Sequence, residues 1–304
     1  YGDHRDLHSL RRRQRQMCIR DRAKALAKPV VSRRRREVVQ KLREMGFRAP
    51  VRFYEHHYAH GFGAYLFSGF ERALILTADG SGDMLSATVA LARGGEHERV
   101  AEVSNYSSLG EFYTRITQLL GMKPLSHEYK VMGLAPYAPE KELEKVYPRV
   151  RRLFEVNPER LEFVNKAGAW KRDWLKVLRK VFDGVRFDVV AGAAQRLLEE
   201  VITAWALAAL RRTGEENLVL AGGVFANVKL NYKVLELPGV KRLFVMPSPG
   251  DDSLPLAVAA LAHFDEAGKR PEPLRELYLG PEFSDEEIEK ALSELSGFRV
   301  EFLG

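Results

Sequence analysis

"YEHHYAHGFGAYLFSGFERALILTADGSGD", residues 54 to 83, decides how the rest of the chain is read. Three histidines, His56, His57 and His60, fall within five positions of a chain that holds 8 in all. The apolar run RALILTAD (72–79) then ends in a polar, glycine-broken turn, and such a run reads as a buried strand. Set on a helix, His56 and His60 stand four residues apart and project from one face. Two-histidine metal sites use that spacing; the plain alternative is a helix with incidental histidines. A divalent ion needs more ligands. Asp79 and Asp251 are candidates, because both lie at the ends of predicted strands, where α/β sheets build their sites. Two imidazoles and two carboxylates suit iron, manganese or zinc, and the ligand set does not choose among them. His57 lies between the pair and points elsewhere, with the chemistry to donate to a substrate oxygen or to act as an acid/base near neutral pH.

Outward from this stretch the pattern is mixed α/β. SATVALARGG (86–95) and RVAEVSN (99–105) read as strands continuing a meander, and LGEFYTRITQLLG (109–121) as a helix capped at Gly121. KELEKVYPRVRRLFEV reads as a helix charged on one side, with a break at Pro148. Residues 157–186 are polar and read as peripheral. Residues 188–214 form a long helix closed by Gly214. NLVLAGGVFANVKLNYKVLE and RLFVMPSPGDDSLPLAVAALAHF repeat one grammar of strand, glycine or proline turn, and helix. SDEEIEKALSEL opens a last helix with Ser284 as N-cap and acids in its first turn. The turns at Asp79-Gly80, Gly222-Gly223 and Gly250-Asp251 recur at strand ends. Such turns let a backbone approach phosphate, although an ordinary α/β connection has the same composition.

With 45% hydrophobic and 29% charged residues the 304-residue chain has the balance of a soluble globular protein. No apolar stretch reaches the roughly 18 residues that span a membrane. No apolar signal core is seen near the N-terminus, and a single cysteine, Cys18, cannot form an internal disulfide, so the cytoplasm is the expected location. The net charge of +7 is uneven. Residues 1 to 50 hold 16 Lys/Arg against 5 Asp/Glu, and the remainder 32 against 36. The basic arm alone would draw nucleic acid or an anionic surface, and nucleic acid is not an expected partner of the body. Within the arm, RRRQRQMCIRDR (11–22) reads as translated sequencing-adapter read-through, whereas Arg33 to Arg36 and EVVQKLREMGF read as an exposed helix.

HHYAH, LTADGSGD, SLGEFYTRITQLLG, EYKVMGLAPY, LAGGVFAN and PSPGDD occur in this order. That series resembles the O-carbamoyltransferases of antibiotic and nodulation-factor biosynthesis, from about residue 50 to the last residue. The resemblance implies an α/β, actin/Hsp70-like core akin to the threonylcarbamoyl transferases, followed by a C-terminal domain of another fold. It implies a reaction in which ATP and carbamoyl phosphate give carbamoyl adenylate, whose carbamoyl group passes to a hydroxyl of a sugar-like acceptor. It also implies an iron-type metal held by two histidines and two aspartates, here His56, His60, Asp79 and Asp251, with Asp252 the competing choice. His57 is the implied acid/base. Gly80, Ser81 and Gly82 would lie near phosphates, and Gly222, Gly223 and Asn227 would line the adenosine side. Ser108, Gly110, Glu128 and Lys130 match motifs facing the same cleft, Lys130 as a catalytic candidate.

The expected organisation is a basic N-terminal segment over 1–49, a catalytic core over 50–268, and a linker with the start of the C-terminal domain over 269–304. The family's upstream glycine hairpin is not seen in residues 1 to 50, so the chain is expected to be truncated at both ends and unable to complete the two-step reaction alone. A threonylcarbamoyl transferase acting on tRNA, a hydrogenase-maturation carbamoyltransferase, and a non-catalytic nucleotide- or metal-binding scaffold are the alternatives. A homodimer is compatible with the sequence.

Overall fold

The computed structural model describes residues 31–299 and 301. The adapter-like stretch 11–22, with Cys18, lies outside the described residues. The chain divides between Pro273 and Leu274 into two compact units. Residues 31–44 are helical and largely exposed (α1), as the Arg33–Arg36 stretch suggests.

The first unit is then built from α2 (His56–Ser68), β1 (Arg72–Gly82), β2 (Leu85–Arg93), β3 (Glu96–Ser104), α3 (Leu109–Leu119), α4 (Glu128–Leu134), α5 (Glu140–Arg151), β4 (Phe154–Asn157), β5 (Glu162–Asn165), α6 (Asp173–Val181), α7 (Phe187–Thr213), β6 (Asn217–Ala221), α8 (Val228–Leu235), β7 (Arg242–Val245) and α9 (Leu254–Ala267). Five strands form one mixed sheet in the order β3-β2-β1-β6-β7, and β4 pairs with β5 separately. β1, β2 and β3 are antiparallel neighbours, while β1, β6 and β7 run parallel. This is the expected α/β core, a mixed sheet with helices on both faces.

β1 is the middle strand because its apolar run can be covered on both faces. Leu74, Leu76 and Ala78 face the large core, with α3 and α7 packed on that side. Ala73, Ile75, Thr77 and Asp79 alternate onto the opposite face, where α2 lies with α9 against it. Gly61 and Gly63 of α2 permit this closeness: a Cβ at Gly61 would come 2.7 Å from Ile75 Cγ2, and one at Gly63 would overlap Ala257 of α9. Parallel pairing demands crossovers; α8 makes the one from β6 to β7, and the segment from β2 to α7 fills the one from β1 to β6.

Two local readings are corrected. α5 runs unbroken through Pro148. The missing hydrogen bond there is offset by burial of Val146, Tyr147 and Val150 on the core side. Residues 157–186 are not peripheral. Leu161, Phe163, Trp174 and Leu178 are each at most 2% exposed. Trp174 stacks on Phe154 with centroids 5.6 Å apart, and Trp205 of α7 donates its indole N–H to Leu161 O at 2.7 Å. Few, widely spaced apolar anchors hid this packing in the polar composition.

In the second unit, α10 (Asp285–Ser293) starts with the expected cap. Ser284 Oγ accepts from Glu287 N at 3.3 Å and Glu287 Oε2 accepts from Ser284 N at 2.8 Å. Among the described residues no helix is long and apolar enough to cross a membrane.

Candidate metal centre

α2 begins at His56, immediately after an extended N-cap residue, Glu55. Its first N–H groups have no partner within the helix and must be met from outside. Glu55 accepts from His57 N and Tyr58 N at 3.2 and 2.7 Å, and Asp83 Oδ2 accepts from His56 N at 2.8 Å. Asp83 belongs to the turn after β1, so the β1–β2 connection also anchors the helix start. Sequence reading assigned Asp83 no role, although it closes the quoted stretch.

This seating brings His56 and His60 over the end of β1. His60 Nε2 lies 3.3 Å from Asp79 Oδ2 and 3.2 Å from Asp251 Oδ1; His56 Nε2 lies 3.6 and 3.7 Å from the same oxygens. The four donor atoms are all within 4.8 Å of one another. Asp251 comes from the turn after β7, and Asp252, the competing choice, is not in the cluster. The side chain of His60 is fully buried, that of Asp79 is 18% exposed, and that of Asp251 is 73% exposed, so one side of the cluster opens to solvent.

The electrostatics suit a cation. Burial disfavours a charge on His56, but the carboxylates of Asp79, Asp251 and Asp83 outweigh it and raise its pKa above the ordinary value. Burial would raise Asp79, yet the facing His56 and His60 rings and the Gly80 N–H hold its carboxyl well below the usual carboxylate range. Gly80 N donates to Asp79 Oδ1 at 2.6 Å and Gly223 N to Oδ2 at 3.3 Å, which orients the carboxylate. His56 Nε2 is buried with no hydrogen-bond partner, because both oxygens stand just beyond reach. Two imidazoles and two carboxylates around an unsatisfied nitrogen therefore fit a divalent metal.

Glycines let backbone close around this cluster. A Cβ at Gly82 would strike the His56 ring, and one at Gly110 would come within 2.8 Å of the Asp79 carbonyl carbon and oxygen and of Gly80 N. Gly222 has φ +97° and lies against Ala78 O, a position closed to a side chain on both counts. Ser108 caps α3 by accepting from Glu111 N at 2.9 Å and donates to Asp79 O at 3.1 Å. Gly80, Gly82, Ser108, Gly110 and Gly223 thus border Asp79 or His56, and Gly222 borders Ala78 next to them. Ser81 stands in the irregular end of β1, where its hydroxyl accepts from Asn105 Nδ2 at 3.3 Å.

Four expected residues are placed differently. Asn227 is buried; its Oδ1 accepts from Leu230 N and Gln195 Nε2 at 3.0 Å, and its Nδ2 donates to Gln195 Oε1 at 2.8 Å, so its side chain is turned to α7 and α8. Gln195 also accepts from Tyr113 OH at 2.8 Å, and no spacing in the sequence announces it. Lys130 is exposed, with Nζ 3.4 Å from His127 Nε2 and over the Tyr129 ring rather than at the cluster. Glu128 instead accepts from Leu125 N at 2.8 Å. His57 is 1% exposed with Nδ1 2.9 Å from Thr77 Oγ1. Burial, then the neighbouring His56, pushes its pKa down to about 4. An enclosed ring that binds a proton so weakly does not have the placement an acid/base near neutral pH needs.

A mixed sheet whose strand ends gather two histidines, two aspartates and close glycines defines an α/β protein with a candidate metal centre at those strand ends. Residues 21–260 match the family described as "Carbamoyltransferase N-terminus". The chain belongs to that family. It is 32% identical over 290 residues to the uncharacterized protein MJ1051 of Methanocaldococcus jannaschii, covering 89% of this chain and 52% of that protein. It is 33% identical to the nodulation protein NolNO of Sinorhizobium fredii over 80% of this chain and 36% of the relative, and 33% identical to the nodulation protein NolO of Bradyrhizobium diazoefficiens over 76% and 42%. The chain spans about half or less of the length of these relatives. Among solved structures, HypF of T. kodakarensis aligns with a TM-score of 0.43 at 15% identity, over 77% of this chain and 39% of that one.

Proposed function

We propose that this chain carries the metal- and nucleotide-binding core of an ATP-dependent carbamoyltransferase that uses carbamoyl phosphate and acts through carbamoyl adenylate on a hydroxyl of a sugar-like acceptor. In this reading residues 50–268 are the catalytic core, and 269–304 are a linker with the start of another domain. The convergence of His56, His60, Asp79 and Asp251 beside glycine turns carries the reading, together with membership of the family. In the transfer step the acceptor oxygen bonds to the carbamoyl carbon, the bond from that carbon to the adenylate oxygen breaks, AMP leaves, and the hydroxyl proton passes to a base. A divalent ion, iron by resemblance, would be held by the four ligands and would act as a Lewis acid on phosphate oxygens.

The chain's own residues supply the rest. Gly80 and Gly223 direct their backbone N–H groups at the Asp79 carboxylate, and Gly222 donates to Pro249 O, so the close backbone at these strand ends holds a ligand in place. Gly110 and Ser108 hold the start of α3 against Asp79, which keeps its carboxylate aimed. The exposed side at Asp251 leaves the ion open to a ligand.

The test is metal content and calorimetric ATP titration of the purified chain, with Asp251→Asn and Asp252→Asn side by side. One ion per chain, lost in D251N and kept in D252N, is the expected result, with ATP bound by both wild type and D252N. A chain that binds neither metal nor ATP, or a D251N that keeps its metal, overturns the reading. Transfer itself is read as AMP release dependent on carbamoyl phosphate and acceptor, in a protein of the relatives' full length.

A further inference from the structure

The metal ligands His56 and His60 flank a third histidine that reaches neither carboxylate. His57 Nδ1 is 2.9 Å from Thr77 Oγ1, and Thr77 Oγ1 is 2.6 Å from Thr88 Oγ1. The three residues are 1%, 0% and 2% exposed. Thr77 and Thr88 are Cα partners on the antiparallel β1–β2 ladder, so their hydroxyls share the face on which α2 lies.

Hydrogen-bond accounting gives this chain a direction. If Thr88 donates to Thr77 and Thr77 donates to His57 Nδ1, both hydroxyl protons have acceptors. In the reverse direction His57 Nδ1–H donates to Thr77, Thr77 to Thr88, and the Thr88 proton meets no acceptor among the described residues. His57 Nε2 lacks a hydrogen-bond partner in either case, so the two arrangements differ by one buried, unsatisfied hydroxyl. Such a group costs about 1–3 kcal/mol.

We infer that His57 is a positioning residue: as the Nε2–H tautomer, held by the Thr88-to-Thr77-to-Nδ1 chain, it fixes the rotation of α2 that aims His56 and His60 at Asp79 and Asp251. This rests on the metal reading above. Thr77 precedes Asp79 by two residues on one strand face, so the strand that supplies a metal ligand also carries the hydroxyl that indexes the helix supplying two more. Close packing at Gly61 against Ile75 and Thr77 sets how near α2 lies to the sheet, but apolar contact is not directional. A hydrogen bond is. A rotation of about 10° would carry an imidazole nitrogen roughly 6 Å from the helix axis by about 1 Å, whereas metal sites hold their donors to within about 0.2 Å.

The experiment pairs Thr77→Val, which keeps the shape and removes the hydroxyl, with Thr77→Ser, which keeps the hydroxyl. Metal affinity of the full chain is read by Co(II) titration through its visible absorption and by Zn(II) competition. Thermal unfolding of the metal-free variants shows that each folds. The loss expected for T77V is about 10–100-fold in affinity, as for other groups that orient a metal's ligands, with T77S close to wild type. Nitrogen-15 NMR of metal-free wild type is expected to show His57 as the neutral Nε2–H form. T77V binding metal as tightly as wild type, or His57 found as the Nδ1–H form, overturns the inference alone. Wild type taking up no metal overturns the metal reading and this inference with it.

Discussion

Gly82→Ala puts one methyl group where only hydrogen fits. A Cβ at position 82 would come within 2.5 Å of His56 Nε2 and closer still to its Cδ2 and Cγ. Non-bonded carbons rest at about 3.5–4.0 Å, so the imidazole must retreat by at least about 1 Å. That exceeds the roughly 0.2 Å tolerance of a metal–ligand distance, and His56 can no longer donate from its place. The fold itself is affected little. Turning a ring that is 17% exposed toward water costs about 0.5–1.5 kcal/mol in rotamer strain. Reducing the freedom of the unfolded chain returns about 0.4–1 kcal/mol, since Gly82 does not need a positive φ. The expected result is metal affinity lower by about 100-fold or more, beyond what loss of an orienting group costs, with metal-free stability close to wild type. Gly80→Ala is the control, because a Cβ there has nothing within 4 Å, and it should bind as wild type does. The assay is Zn(II) competition alongside urea unfolding in chelator. G82A binding metal like wild type with an unchanged fold, or G80A losing as much, would refute the assignment of His56 as a ligand.

Gly110→Ala should destabilise the fold by roughly 1–2 kcal/mol, because the strain of a methyl against backbone, about 1–3 kcal/mol, exceeds the helical gain of about 0.5–1 kcal/mol. Gly133→Ala in α4, exposed and with open space around it, should stabilise by that gain, and urea midpoints separate the two signs. His97, packed against Tyr58 and Phe62, has its pKa pushed down to about 4 by burial and then by Arg99. An unfolded histidine binds a proton near pH 6.5, so the stability held above that pH is lost as pH falls toward 4. Full linkage would be about 3 kcal/mol, which partial exposure cuts to on the order of 1–2. Urea unfolding of wild type and His97→Gln at pH 7.5 and 5 should differ by that amount, and equal pH slopes would refute the assignment.

Much of the sheet was legible because its signals are local. The RALILTAD run, the meander after it, the long helix closed by Gly214 and the Ser284 cap are each written in neighbouring residues, and each forms where the pattern places it. The histidine pair was equally plain, since four residues on a helix make one face. The misreadings have a common physical origin. Residues 157–186 look polar because a few anchors such as Phe163 and Trp174 do the burying, and Pro148 looks like a break because its neighbours' core contacts are invisible in sequence.

Composition and periodicity were sufficient for the α/β class, the order of the elements, and His56, His60, Asp79 and Asp251 as candidate ligands. Folding alone brought those four together with Asp252 outside the group, buried His57 against Thr77, and turned Asn227 toward Gln195. Those choices depend on contacts between distant parts of the chain: His60 and Asp251 are 191 positions apart and meet at 3.2 Å. No local propensity encodes such a distance, because it is set by how α2, β1 and the turn after β7 seat on one sheet.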